Sequence, residues 1–213
     1  MREKILEDLR SFSEAKFAQW LKPFLRITEE SEEVVLGVRV PTLRKLAKKY
    51  KDIDLKILKE LLHSNIHESR ALAVFIMILK SKKEPKIMCD LYLNNLDYIN
   101  NWDLIDYSAP YIVAPNVEKE VLRRLAEADY LWANRVAMVS TIYYIKQGDF
   151  GLTLELAEKF INHEHHLMHK ATGWMLREVG KKDVETLKQF LEKFSEKMPS
   201  IMRSYAMERL RKA

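Results

Sequence analysis

Lys170-Ala-Thr-Gly173 is one of four short stretches in which a basic residue is followed by small and apolar ones. The others are Arg70-Ala-Leu-Ala73, Arg135-Val-Ala-Met138 and Arg203-Ser-Tyr-Ala206. Their starts lie 65, 35 and 33 residues apart, and Trp102-Asp-Leu-Ile-Asp106 falls near the middle of the longest interval. That interval counts as two units, so the period is about 32–35 residues, the signature of an α-solenoid with two helices per unit. Tetratricopeptide consensus residues are missing, which favours HEAT-like pairs. Around these stretches apolar residues recur at helical spacing, as in Leu55, Leu58, Leu61 and Leu62. Pro41 and Pro199 read as helix-opening prolines, and Gly148 and Gly180 sit where C-terminal caps belong. Val34–Val40 is the only strand-like stretch. No low-complexity linker divides residues 1–213, so the expectation is one all-α domain, a HEAT-like α-solenoid of about six antiparallel helix pairs.

Composition narrows the chemistry. The 213 residues hold 36 Lys and Arg against 31 Asp and Glu, a net charge of +5, with 47% hydrophobic residues. This is a globular rather than a disordered composition. The five glycines, Gly37, Gly148, Gly151, Gly173 and Gly180, cannot form a GxGxxG or Walker A loop, which argues against dinucleotide and P-loop cofactors. The single Cys89 excludes internal disulfides and zinc sites with two thiolates. Lying between Met88 and Leu91 with no local His to activate it, Cys89 reads as a buried core thiol. The N-terminus MREKILEDLR lacks a signal peptide's apolar run, and the longest apolar run, Ala71–Leu79, is too short to span a bilayer. The expectation is a cytoplasmic protein with no membrane partner and no nucleotide cofactor.

The repeat phase groups the distinctive side chains. Trp102 and Asp106 are i,i+4, hence on one helical face; Trp132 and Arg135 are i,i+3, as are Trp174 and Arg177. In a solenoid, equivalent positions line one surface. A concave strip of aromatic rings, guanidinium groups and one carboxylate suits nucleic acid, with cations for phosphates and flat rings for bases or sugars. The competing reading keeps the tryptophans in the core and makes the helix-start cations salt-bridged structural positions. His163-Glu-His-His-Leu-Met-His169 puts His165 and His169 one turn apart, but Leu167 breaks HExxH and no acidic third ligand follows. A helix start near phosphates or a solvated polar turn is the favoured reading, with no metal.

Four stretches together resemble the AlkD-type DNA alkylation repair glycosylases. They are Gly37-Val-Arg-Val-Pro-Thr-Leu-Arg44, Asn101-Trp-Asp-Leu-Ile-Asp106, Trp132-Ala-Asn-Arg135 and Lys170-Ala-Thr-Gly-Trp-Met-Leu-Arg-Glu178. The resemblance runs over roughly residues 35–210 in order and spacing. It implies HEAT-like repeats that excise N3- and N7-alkylated purines, such as 3-methyladenine and 7-methylguanine, while the lesion stays within the duplex. By position it implies Asp106 as the catalytic carboxylate, with Trp102 and Trp174 against the lesion's sugar and backbone. Arg135 and Arg177 would hold phosphates near the lesion, with Arg44 and Lys170 on the backbone. The first 34 residues depart from the family pattern, which leaves its N-terminal aromatic without an assigned counterpart, Trp20 being the one candidate named. The implied partner is double-stranded DNA bearing alkylated purines, bound by a monomer without metal or cofactor. A catalytically silent relative that binds distorted or branched DNA, and a scaffold for protein partners, are the alternatives.

Overall fold

The structure is a computed structural model that describes residues 1–28 and 30–210. Its fold is all-α; among the described residues the nearest approach to a strand is an isolated parallel bridge between Val34 and Ile66. The chain forms two compact units, residues 1–108 and 109–213.

The first unit begins with α1 (Arg2–Ser11), α2 (Ala15–Leu25), α3 (Val40–Lys49) and α4 (Leu55–Leu62). α5 (His67–Lys80), α6 (Pro85–Leu93), a 3-10 turn at Leu96–Tyr98 and the start of α7 (Trp102–Ile112) follow. Helix starts follow local chemistry: Pro41 opens α3 as expected, and Asp54 caps α4 by accepting the Ile57 N–H at 2.8 Å. α5 is the centre of this unit. Every residue from His67 to Met77 is buried, and α1, α3, α4 and α6 pack around it. Leu58, Leu61 and Leu62 on α4, with Leu72 and Ile76 on α5 itself, are fully buried apolar side chains; each such side chain removed from water contributes about 1.5–3 kcal/mol.

The loop between α2 and α3 is bound to α5 by one buried carboxylate. Glu68 accepts the N–H groups of Leu36, Gly37 and Val38 at 2.9, 2.7 and 3.3 Å. Gly37 has φ +80°, and a Cβ there would lie 2.3 Å from the Glu14 carbonyl oxygen. Backbone conformation and close approach both require glycine.

The second unit repeats one motif. A 3-10 turn at Ala114–Asn116 precedes α8 (Lys119–Glu127), α9 (Leu131–Ser140) and the short α10 (Ile142–Lys146). α11 (Gly151–Phe160), α12 (His166–Lys182), α13 (Val184–Phe194) and α14 (Ser200–Ala206) complete it. α8 pairs with α9, α11 with α12, and α12 packs in turn on α9, α13 and α14. The period is visible in the polar contacts. Arg123 reaches Glu155, Lys159 reaches Glu127, and Arg135 reaches the Leu167 carbonyl, each across 32 residues. Gly148, with φ +80°, follows α10 as the expected C-terminal cap. Gly180 does not cap: it lies inside α12, where the Leu187 side chain of α13 fills the space of its missing Cβ. Gly173 is as crowded, with the Met202 carbonyl oxygen 2.4 Å from the Cβ position, so α14 crosses α12 at backbone contact.

Candidate nucleic-acid interface

In the first unit, α7 carries Trp102 and Asp106 one turn apart, and both are half-buried. Trp102 is oriented rather than loose: its indole Nε1–H donates to the Phe24 carbonyl at 2.9 Å, and its ring packs on Ala18, Leu25 and Val35. Tyr107 stacks obliquely on Phe75, with ring centroids 5.1 Å apart, and the exposed Arg44 guanidinium lies 4.8 Å over Phe75. Such a cation–π contact contributes about 0.5–1 kcal/mol and gives Arg44 a preferred direction. Burial, with Asp103 and Asp106 nearby, pushes the Tyr107 hydroxyl up to about 12, so it stays protonated. Trp20 is 57% exposed and stacks with Phe17 and Phe24 along α2.

In the second unit, the α12 residues Lys170, Trp174 and Arg177 are all half-buried. Trp174 Nε1 donates to Glu178 Oε1 at 3.1 Å, and Lys181 Nζ reaches the same oxygen at 2.5 Å. Arg177, 21% exposed, is ion-paired with Glu208 and lies 3.7 Å from Glu178. Arg135 is different. It is 4% exposed, and its Nη1 donates to the Leu167 carbonyl at 2.7 Å, joining α9 to the first turn of α12. Arg70 is likewise buried, bonded to Glu33 and to Asn100. Both helix-start cations are thus buried and hydrogen-bonded to the protein itself.

The histidine cluster is a hydrogen-bonded cap. His163 Nδ1 accepts the His165 N–H at 2.9 Å, leaving Nε2–H to donate to Asn134 Oδ1 at 3.1 Å. His165 Nδ1 accepts the Leu167 N–H at 3.1 Å as the N-cap of α12, and His169 Nε2 donates to the His163 carbonyl. Burial, and His169 close by, hold the His163 imidazole below the usual histidine range. The cluster is thus at a helix start, as expected, but half-buried rather than solvated. Cys89 is buried as expected, and burial pushes its thiol up to about 11.

One network has no counterpart in any local sequence pattern. His67, 2% exposed, lies between two carboxylates, with Nδ1 2.7 Å from Glu33 Oε1 and Nε2 2.8 Å from Asp103 Oδ2. Burial draws its pKa down, but Asp103 and Glu33 outweigh it and push it up to about 9. The only signal in the sequence is that these pairs are 34 and 36 residues apart, near the repeat period.

Comparison with known proteins adds the family. Residues 5–210 match the family described as DNA alkylation repair enzyme, so the match also takes in most of the first 34 residues, which the sequence motifs leave outside the family pattern. Among solved structures, a "Predicted DNA alkylation repair enzyme from Enterococcus faecalis" is similar, with a TM-score of 0.69 and 13% identity. The likeness covers 94% of this chain and 98% of that one, and at this identity it bears on the fold alone. A search of curated proteins gives no match. With the family match extending over nearly the whole sequence, from the first helix to the end of the described residues, the chain belongs to the DNA alkylation repair enzyme family.

Proposed function

We propose that this protein is a monofunctional DNA N-glycosylase of HEAT-like architecture, acting as a monomer on N3- and N7-alkylated purines in duplex DNA. The observation that carries the reading is α7, where an oriented tryptophan and a half-buried carboxylate share one helical face. Alkylation at N3 or N7 leaves the purine cationic and already a good leaving group, so the reaction calls for no general acid, metal or cofactor. As the glycosidic bond stretches, positive charge develops on the deoxyribose, as in an oxocarbenium ion. Asp106 supplies a fixed negative charge to stabilise it and to orient the attacking water. Trp102 offers the electron-rich face of its ring to the same charge, a contribution of about 0.5–2 kcal/mol. Trp174, Lys170 and Arg177 on α12 take the sugar–phosphate backbone, as does Arg44 on α3. Arg135 is assigned to holding the start of α12 rather than to phosphate, because its guanidinium is buried and bonded to a carbonyl.

The test is release of 7-methylguanine and 3-methyladenine from methylated duplex by purified protein under single-turnover conditions. Release by the wild type, strongly reduced in Asp106→Asn, is the expected result. Tight duplex binding with no release of either base would move the assignment to a silent DNA-binding relative.

A further inference from the structure

Four consecutive residues at the start of α7 each send a side chain elsewhere in the first unit. Asn100 Oδ1 accepts from Arg70 Nη1 at 2.9 Å, and Asn101 Nδ2 donates to the Leu25 carbonyl at 2.9 Å. Trp102 Nε1 donates to the Phe24 carbonyl, and Asp103 Oδ2 meets His67 Nε2. His67 is the hinge pin of this array. Its backbone N–H donates to the Val34 carbonyl at 2.8 Å, fixing it beside Glu33, while its ring spans from Glu33 to Asp103. A neutral imidazole has one N–H and one lone pair, so it satisfies one carboxylate and repels the other; only the cation donates to both.

We propose that His67 is a positioning residue: as an imidazolium between Glu33 and Asp103 it fixes the first turn of α7, and with it the direction of Trp102 and Asp106. The catalytic consequence rests on the glycosylase reading above. Charge bookkeeping supports the assignment. The groups facing His67 are Glu33 from the loop before α3 and Asp103 from α7. Arg70 on its own helix pairs with Glu33, and the adjacent Glu68 is taken up by the amides of Leu36 to Val38. Two cations thus balance Glu33 and Asp103, whose side chains are 18% and 10% exposed. Loss of the His67 proton leaves that cluster with a surplus negative charge one turn from Asp106. The elevated pKa of the ring agrees with a cation at neutral pH.

The test uses full-length protein labelled with 5-fluorotryptophan, whose Trp102 resonance is identified with Trp102→Phe. In the wild type this resonance is expected to hold steady to about pH 8 and then move with a midpoint near 9, while those of Trp132 and Trp174 do not follow. In His67→Gln the Trp102 resonance is expected to be displaced already at pH 7. Single-turnover base release should then fall about tenfold, with duplex affinity unchanged. A Trp102 resonance in His67→Gln that superimposes on the wild type at pH 7 overturns the proposal. So does a displaced resonance with wild-type release. If His67→Gln does not fold, the wild-type titration decides, and a flat Trp102 resonance through pH 10 overturns the anchor. Wild-type protein that releases no base defeats only the glycosylase reading, since the resonance still judges the anchor.

Discussion

His67 and His163 both sit where a helix begins, yet their surroundings demand opposite charge states. At α5 and α7 the ring faces two carboxylates and must donate from both nitrogens. At α12 the ring accepts a backbone N–H and donates to an amide oxygen, which only the neutral form does. Burial opposes the cation in both places. It prevails where the neighbours are amides and another histidine, and loses where they are two carboxylates. The start of α7 is held by charge and that of α12 by neutral hydrogen bonds, in keeping with chemistry assigned to the first and backbone contact to the second.

The sharpest way to break that division is Asp106→Asn. It preserves shape and removes the charge, and single-turnover release of 7-methylguanine should fall about 30- to 1,000-fold, or roughly 2–4 kcal/mol of transition-state stabilisation. Duplex affinity should hold or rise. A folded variant with wild-type release would leave α7 no special part in the chemistry.

Next in size is the opposed pH dependence of stability. With a folded pKa raised to about 9 from 6.5, His67 contributes fully below pH 6.5 and loses its contribution as pH rises through 9. That contribution is on the order of 3 kcal/mol. His163, held low, contributes above its ordinary pKa of 6.5 and loses that contribution as pH falls below it. Urea unfolding across this range should show both arms, the alkaline one vanishing in His67→Gln and the acidic one shrinking in His163→Gln. Arms that persist in both variants would void the comparison.

Arg135→Ala removes the donor to the Leu167 carbonyl within the core. The expected cost is about 2 kcal/mol in thermal unfolding, with little change in duplex affinity for whatever fraction remains folded. Unchanged melting with weakened binding would return Arg135 to the phosphate contacts. Arg177→Ala is the smallest effect: about a 3- to 10-fold loss of affinity, equal for damaged and undamaged duplex because phosphate contacts carry no base information. Gel-shift titrations on both duplexes would measure it, and a loss confined to damaged DNA would move Arg177 to the lesion itself.

The helical organisation is legible because helix starts recur in the sequence at a near-constant interval. The starts of α5, α9, α12 and α14 were marked by Arg70, Arg135, Lys170 and Arg203, which lie in the first or second turn of their helices. Pro41, Gly148 and Cys89 were readable from local chemistry alone. Gly180 reads as a cap in the sequence but is not one, because glycine at a helix end and glycine under a crossing side chain look alike without the partner helix. The His67 network stayed hidden for a similar reason. Glu33, His67 and Asp103 belong to separate segments, and no local pattern shows that a buried imidazole has a carboxylate on each side.

Glu208 gives the Arg177 ion pair a further meaning. On the proposed backbone role of Arg177, a phosphate that takes this guanidinium must first displace the Glu208 carboxylate from it. Breaking that pair offsets part of what the phosphate contact contributes, so Arg177→Ala removes less affinity than loss of an unpaired guanidinium would. On that reading Glu208 is a built-in competitor for the backbone, and a tally of surface cations overstates the grip on DNA.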